Sequence, residues 1–226
     1  MLTADFGPAR LPDAGIDVFE EILGRYARLQ IASATRVDEL LAAGCLDRRL
    51  DVLARHVDAL LGDADTLSYL KPDEVRELHT LGPRLKELCA ELARYEVPMA
   101  LVHGDLHTGN IAAQGGHYTI FDWTDACVAH PFFDLATILY SAGRFPDIPD
   151  ARARMRDAYL SHWTAFAPME RLREAADLAD TLGTLHQAVS YQHIVANLEA
   201  KNELDENLQD WLRGVLEAAG TKQETA

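Results

Sequence analysis

A change of hydrophobic period constrains what this chain can fold into. Apolar residues recur every three or four positions from Ile16 to Leu92, which places them on single faces of helices. From Met99 onward the pattern changes to short apolar runs, two of which flank Gly115-Gly116, and this is typical of a β-hairpin. Helical spacing returns at Phe133. The sequence therefore predicts a mainly α fold with one small β-hairpin or short sheet.

The helices ahead of this β segment are predicted from three apolar sets. They run from Ile16 to Leu29, from Leu46 to Leu60 and from Val75 to Leu92. The third set is interrupted at Gly82-Pro83, where a glycine can end one helix and a proline can open the next. A buried strand is expected over Met99–Val102. Later helices are predicted over 133–140, 151–166, 172–198 and 208–218, with fraying after residue 219.

The composition excludes several classes of function. The formal net charge is −15, and because nucleic-acid binding needs a basic face, no nucleic-acid partner is expected. The same charge favours cationic small molecules. No apolar run approaches the roughly 20 residues that cross a bilayer, so no membrane partner is expected. The three cysteines lack metal-site spacing and no signal peptide is visible, which predicts reduced thiols and a cytoplasmic location.

Three oxygen-bearing side chains lie around the predicted hairpin. Asp105 and Asn110 are five residues apart in the loop that follows the first strand, and Asp122 ends the hairpin. Because a hairpin brings its outer ends together, Asp122 should return close to that loop. Carboxylate and amide oxygens are hard ligands that suit Mg²⁺. The sequence therefore predicts a small site with two carboxylates, one amide and a magnesium ion.

Three motifs in this region resemble one known family. His103-Gly104-Asp105, with Asn110 five residues after the aspartate, is similar to the catalytic loop of the aminoglycoside phosphotransferase and choline kinase group. Ile120-Phe121-Asp122-Trp123 resembles its metal-binding segment, and Phe133-Asp134-Leu135-Ala136 resembles the motif that follows. The group is a branch of the protein-kinase-like fold. This sequence departs from it at His130-Pro131, where the family usually has Asp-Pro at a position that is not a metal ligand.

The resemblance implies roles in phosphoryl transfer from ATP. Asp105 would accept the proton of a substrate hydroxyl and orient its oxygen toward the γ-phosphate. Asn110 and Asp122 would hold Mg²⁺, which neutralises charge on the phosphates. His103 would support the loop by hydrogen bonding within it. Asp134 would anchor the loop through its backbone N–H groups.

The likeness covers almost the entire chain, but only as the C-terminal lobe of the kinase-like fold. No N-terminal β lobe with a Gly-rich loop, a strand lysine and its glutamate is visible. Thr3 and Ala4 resemble the end of the interlobe hinge, where the backbone would meet adenine. The predicted units are a hinge remnant at 1–13, a helical part at 14–97, the catalytic loop and metal-binding hairpin at 98–125, and C-terminal helices at 126–226.

This arrangement leaves two interpretations open. In the first, the chain is a phosphotransferase whose activity is impaired because the N-lobe is missing, so the isolated chain should have little or no activity. In the second, it is a non-catalytic kinase lobe that binds or scaffolds a partner. Exposed apolar surface on the hinge side would then bind a separate N-lobe or drive self-association.

The expected substrate is a small molecule with a hydroxyl group. His107 would lie on the substrate side of the loop, and Glu199 and Glu203 would make the C-terminal helices acidic. Acidic residues at these helices favour an amine-bearing substrate. A remote alternative is a metallophosphoesterase, which Gly104-Asp105-Leu106-His107 resembles as a fragment. That class needs an earlier Asp-x-His and a later Asn-His, and neither occurs in this sequence.

Overall fold

The computed structural model describes Leu11 and residues 14–68, 70–114, 117–197 and 203–223. Its α-helices are α1 Ile16–Ala34, α2 Val37–Ala42, α3 Leu50–Gly62, α4 Ala64–Leu67, α5 Pro72–Ala93, α6 Leu135–Ile138, α7 Ala151–Leu160, α8 Met169–Ala196 and α9 Glu203–Gln223. Its strands are β1 Leu46–Asp47, β2 Ala100–Val102, β3 Ile111–Gln114, β4 His117–Ile120 and β5 Cys127–Ala129. The prediction of a mainly helical chain with small sheets is confirmed. Thr3, Ala4 and Glu199 lie outside the described residues.

Two small sheets separate the helices. β3 and β4 form the predicted antiparallel hairpin, with Ile111 opposite Ile120. The other sheet has the order β1-β5-β2, in which β5 is parallel to β1 and antiparallel to β2. β2 is the buried strand expected before His103, since Ala100 and Val102 are both fully buried. The catalytic-loop motif therefore begins where a buried strand leaves the middle of the molecule.

Some predicted boundaries are wrong. α5 continues through Pro83 as one helix, so Gly82-Pro83 does not separate two helices. Leu46 is not on a helical face; it pairs with Cys127 in β1 and is 52% exposed. Glu96 has a φ of 56° between α5 and β2, so the chain turns before Pro98 is reached. α9 extends to Gln223, so the expected fraying after residue 219 is not observed over Gly220–Gln223.

The core holds the β segment between helices from both ends of the chain. α1 buries Phe19 and Tyr26 against α7 and β2, and α8 packs on α5, α9 and the 3-10 turn Pro131–Asp134. The most deeply buried large side chains include Tyr26, Phe132 and Trp163. Within the described ranges, no helix is long and apolar enough to cross a membrane. The start of the catalytic loop is consequently surrounded by packed helices.

Candidate active site

Asp134 holds the start of the catalytic loop. Its buried carboxylate accepts hydrogen bonds from the backbone N–H of His103 at 2.9 Å and of Gly104 at 3.0 Å. The hydroxyl of Tyr26 donates to the same carboxylate and accepts a second bond from the His103 N–H at 2.9 Å. Burial raises the pKa of Asp134, and these donors oppose that rise because they stabilise the ionised form. The carboxylate therefore fixes two consecutive peptide groups immediately before Asp105.

His103 links the loop to the end of the hairpin. Its Nε2 lies 2.9 Å from the carbonyl oxygen of Phe121, and its Nδ1 lies 3.2 Å from the backbone N of Asp105. A carbonyl can only accept and an N–H can only donate, so the ring carries its proton on Nε2. The ring also packs on Trp123, with centroids 4.7 Å apart. His103 is fully buried, and this geometry places the residue that precedes Asp122 beside the catalytic loop.

Gly104 lies where no larger residue fits. Its φ of +86° is in the left-handed region, and a Cβ at this position would collide with the backbone carbonyl of Asp125. The carbonyl oxygen of Gly104 accepts a hydrogen bond of 2.5 Å from the Nε2 of Gln187 on α8. The peptide is therefore held between the 3-10 turn Trp123–Asp125 and α8.

Asn110 folds back on Asp105. Its Nδ2 donates to the backbone oxygen of Asp105 at 2.9 Å and lies 3.4 Å from the Asp105 carboxylate. Asn110 is only 7% exposed, and its backbone oxygen accepts a bond of 3.0 Å from the N–H of Phe121. With Nδ2 directed at Asp105, Oδ1 is the amide atom with the chemistry to bind a cation.

His107 and Asp105 form an ion-pair contact at the open side of the loop. The Nε2 of His107 lies 3.4 Å from the Asp105 carboxylate, and its Nδ1 accepts a bond of 2.9 Å from the N–H of Gly109. The contact lowers the pKa of Asp105 and raises the pKa of His107. The lowered pKa keeps Asp105 ionised, so its carboxylate is the acceptor of this pair.

Asp122 lies at the end of the hairpin in a left-handed conformation. Its φ is 61°, its side chain is exposed, and its carboxylate accepts a hydrogen bond of 3.0 Å from the Thr124 hydroxyl. Its charge raises the pKa of His107, as a smaller effect than that of Asp105. Asp105 and Asp122 also raise the pKa of Asp125, for which burial is the larger cause. The hairpin thus gathers three carboxylates around one loop.

The chemistry of these groups fits a hard cation. The carboxylate of Asp122 and the amide oxygen of Asn110 supply oxygen atoms only, and a positive charge beside them would relieve the repulsion that Asp125 feels from Asp105 and Asp122. Within the described residues, no group of three or more His, Cys, Asp or Glu side chains is arranged to hold a metal ion. The predicted metal ligands are Asn110 and Asp122, of which only Asp122 is a side chain of these four types. Their role as metal ligands stays a prediction.

Sequence reasoning missed three residues of this site. Tyr26 follows the apolar spacing of α1 and is not among the predicted site residues, although its hydroxyl contacts Asp134. Asp125 and Gln187 stand in no motif that we singled out. A signal for Asp125 existed, because it follows Asp122 by three residues in the same turn. Gln187 contacts Gly104 from 83 residues away, a distance over which one sequence carries no pairing signal.

The predicted substrate-side residues lie at different places. His107 lines a cavity of about 390 Å³ beside Asp105. Glu203 begins α9, and its side chain is outside the described part of the structure. The cavity is lined by Asp105, His107, Thr137, Tyr140, Tyr191, Asn207, Asp210 and Trp211. A space that touches both α8 and α9 therefore opens directly onto the carboxylate predicted to be the base.

Known proteins resemble this chain in sequence and in fold. The profile of the phosphotransferase enzyme family, APH, matches residues 4–174. An amicoumacin kinase of Bacillus subtilis (strain 168) is 28% identical over 98 residues, which make up 42% of this chain and 28% of that kinase. Family membership was expected from the three motifs, and the profile covers all three.

Two solved structures are also similar. An ethanolamine kinase of Plasmodium vivax has a TM-score of 0.61 at 11% identity, over 92% of this chain and 61% of that one. A glucosamine kinase has a TM-score of 0.43 at 18% identity, over 96% of this chain and 62% of that one. The likeness to the ethanolamine kinase shows a kinase-like fold. The chain spans less than two thirds of the length of each of these relatives.

Proposed function

This chain belongs to the phosphotransferase enzyme family, and we propose that it serves the transfer of the γ-phosphoryl group of ATP to a hydroxyl of a small molecule. One observation carries the proposal: the Asp134 carboxylate holds the backbone of His103 and Gly104, which fixes Asp105 at the open side of the loop beside Asn110. A preorganised carboxylate next to a cavity is what acceptor activation requires.

Asp105 is the proposed proton acceptor. Its lowered pKa keeps it ionised near neutral pH, so it can take a hydrogen bond from the substrate hydroxyl. As the hydroxyl oxygen bonds to the γ-phosphorus, the bond from that phosphorus to the bridging oxygen of ADP breaks, and the hydroxyl proton passes to Asp105. His103 and Asp134 position the loop and take no part in proton transfer. His107 orients the Asp105 carboxylate through its Nε2 contact.

Asn110 and Asp122 are the proposed ligands of Mg²⁺. Such an ion would supply charge neutralisation on the phosphates of ATP. The amide oxygen of Asn110 stands on the loop and the carboxylate of Asp122 ends the hairpin, and the hydrogen bond between Phe121 and Asn110 joins these two elements.

Membership of the phosphotransferase family, whose profile matches residues 4–174, argues against the metallophosphoesterase alternative.

For the organisation of the chain, we propose the units 1–13, 14–97, 98–125 and 126–226, which together form a C-terminal lobe that binds the acceptor and the metal. Lys71 precedes α5 and Lys86 lies within it, so neither stands on a sheet that could cover the phosphates. We accordingly propose low turnover for the chain by itself, and an amine-bearing hydroxyl compound as its acceptor.

The test separates nucleotide binding from transfer. Titration calorimetry would measure Mg²⁺-dependent ATP binding, and ³¹P NMR would follow transfer to a panel of amino alcohols. We expect Asp122→Ala to weaken Mg²⁺·ATP binding, and Asp105→Asn to retain binding while any transfer falls by about 10²- to 10⁴-fold. Asp38→Asn, at an exposed position on α2, is the control. Wild-type protein that neither binds Mg²⁺·ATP nor transfers phosphate would contradict the proposal.

A further inference from the structure

Arg48 is a buried cation that pairs with no carboxylate of the described residues. It directly follows β1 and is only 6% exposed. Its Nη1 donates to the Nε2 of His56 at 2.9 Å and lies 3.4 Å from the Nε2 of His193. In the described part of the chain these two imidazoles are its only side-chain partners, although the chain has 36 acidic residues. Because a guanidinium does not lose its proton in a protein, the positive charge of Arg48 stays uncompensated.

The neighbouring carboxylates are engaged by other groups. Asp47 precedes Arg48 in the chain, but its two oxygens accept hydrogen bonds from the Nε and Nη2 of Arg49 at 3.0 and 2.7 Å. Asp63, at the end of α3, accepts a bond of 2.9 Å from the Nε2 of Gln192 on α8. The missing counter-charge is therefore not supplied by the acidic residues that lie closest along these elements.

The electrostatic field at this cluster is positive. Burial lowers the pKa of His56 and of His193, and the charge of Arg48 lowers both further. His193 and Arg55 act on His56 in the same direction. Burial also lowers the pKa of Arg48 itself, as expected for a cation that is removed from water. The cluster thus keeps its imidazoles neutral near pH 7 and attracts anions, in a chain whose net charge is negative.

One edge of the Arg48 guanidinium is left to bind a ligand. Nη1 is used by both imidazoles, whereas Nε and Nη2 have no hydrogen-bond partner among the described residues. These two nitrogens lie on the same edge of the guanidinium, and their N–H groups form the fork that two oxygens of an oxyanion accept. His193 is exposed and His56 is half-buried, with ring centroids 5.5 Å apart, so the cluster reaches the surface.

We propose that Arg48, held in place by His56 and His193, forms a binding site for a small oxyanion of the phosphate type. A dianion gains more than a carboxylate monoanion from the same positive field, because the Coulomb energy scales with charge. Two of its oxygens accept the fork and the others keep their water. The site is separate from the acceptor cavity: Tyr191 lines that cavity, and His193 lies about 200° further around α8. The proposal does not depend on the proposed function.

Anion titrations test the site without nucleotide. Titration calorimetry and thermal unfolding would be measured on the full chain near neutral pH, with EDTA present and the ionic strength held constant with sodium chloride. The probes are inorganic phosphate, glycerol 3-phosphate, sulfate and acetate. We expect inorganic phosphate to bind with a Kd of about 1 mM or below and to raise the Tm, and acetate to bind about tenfold more weakly.

The two phosphate probes distinguish the source of the ligand. Glycerol 3-phosphate that binds as tightly as inorganic phosphate would support a phosphate monoester as the ligand, and preference for inorganic phosphate would support the free anion. No phosphate binding at about 20 mM, or acetate binding as tight as phosphate, would overturn the proposal.

Two adjacent arginines provide a matched pair of variants. Arg48→Lys keeps the positive charge and removes the fork, so the phosphate affinity should fall about tenfold or more. Arg49→Lys is the control, because Arg49 already binds the carboxylate of Asp47, and its phosphate affinity should equal that of the wild type. His193→Ala removes an exposed partner of the Arg48 Nη1, and a loss of several-fold in phosphate affinity is expected.

The variants also locate the anion. Equal phosphate affinity in the wild type and in Arg48→Lys would place the bound phosphate elsewhere and overturn the proposal. Circular dichroism would check that Arg48→Lys is folded, since Arg48 is buried. If that variant does not fold, His193→Ala takes its place, because its side chain is exposed and its loss leaves the core unchanged. Phosphate affinity equal to that of the wild type in His193→Ala would then overturn the proposal.

Discussion

Asp134 shows how one buried carboxylate can set the geometry of the loop that we propose to be catalytic. A carboxylate removed from water loses several kcal/mol of hydration unless donors replace the water. Tyr26, His103 and Gly104 provide those donors, and two of them are backbone groups of the loop. The same bonds that make the buried charge tolerable therefore fix the peptide groups before Asp105. Loop position and core stability are coupled through this residue.

Gly104 offers a sharp test of this coupling. Gly104→Ala adds a methyl group at a positive φ, where it would also collide with the carbonyl of Asp125. We expect the free energy of unfolding, measured by urea denaturation, to fall by about 2–4 kcal/mol. Any phosphoryl transfer should fall as well, because the Asp134 bond to the Gly104 N–H would be displaced.

Gly44→Ala is the matched control for this substitution. Gly44 has a φ of +93°, but a methyl group there would meet no atom within 4 Å. Its expected cost is the backbone strain alone, about 1–2 kcal/mol. Equal costs at the two glycines would show that the contact with Asp125 does not constrain the loop.

The candidate residues were predictable from sequence to the extent that they stand in short motifs. Asp105, Asn110, Asp122 and Asp134 follow each other at spacings that resemble one family, and in the structure Asp134 binds the Gly104 N–H and Asn110 lies against Asp105. Tyr26 was not predictable as a site residue. Its hydroxyl reaches His103 across 77 positions, and an aromatic residue on an apolar helix face gives no sign of such a bond.

At the scale of the element, α5 shows why a local helix breaker was misleading. Pro83 lacks an N–H and is therefore read as a helix start after Gly82. The helix nevertheless continues, because Leu78, Leu81, Leu85 and Leu88 are all buried on one face that packs on α3 and α8. Burial of such side chains is worth about 1.5–3 kcal/mol each, so together they outweigh one lost hydrogen bond.

Replacing Pro83 tests whether α5 is one helix under strain. Pro83 is exposed, so Pro83→Ala restores a helical N–H without changing the core. We expect urea denaturation to show a free energy of unfolding that is higher by about 1–3 kcal/mol. Thr80→Ala, also exposed on α5, should change it by less than about 1 kcal/mol. A clear loss of stability in Pro83→Ala would instead favour two helices joined at the proline.

The short strands β1 and β5 could not be predicted from the sequence, for a different reason. β1 has two residues and β5 has three, which is too short for a period-two pattern to be distinguished from chance. Leu46 was therefore counted with the helix that follows it. Its position is decided by pairing with Cys127, 81 positions later, and not by its neighbours in sequence.

At the scale of the whole molecule, the interior holds histidines that cannot easily gain a proton. Burial lowers the pKa of His130 and of His186 to about 3, from 6.5. Arg48 and His56 lower the pKa of His186 further. His130 stands where the family usually has an aspartate, so this chain has an uncharged imidazole in its core at that position. The stability of the fold must therefore depend on pH.

The direction of that dependence follows from linkage. In the unfolded chain these histidines gain a proton near pH 6.5, whereas in the folded chain they stay neutral until about pH 3. Stability is therefore fully present above pH 6.5 and is lost as the pH falls through this window. Each histidine contributes up to about 1.4 kcal/mol per pH unit well below pH 6.5. Urea denaturation at pH 7, 6 and 5 should show a free energy of unfolding that falls with pH.

A variant can assign the loss to one residue. His186→Gln cannot gain a charge, so it should reduce the slope between pH 6 and pH 5 by up to about 1.4 kcal/mol per pH unit, even though loss of the ring stacked on Phe133 lowers stability at every pH. Thr80→Ala, an exposed substitution on α5 that removes no titratable group, should leave the slope unchanged. A slope in His186→Gln equal to that of the wild type would mean that His186 is protonated in the folded chain at these pH values. In that case the negative net charge of the protein, −15, would stabilise the protonated ring by more than the burial of His186 destabilises it.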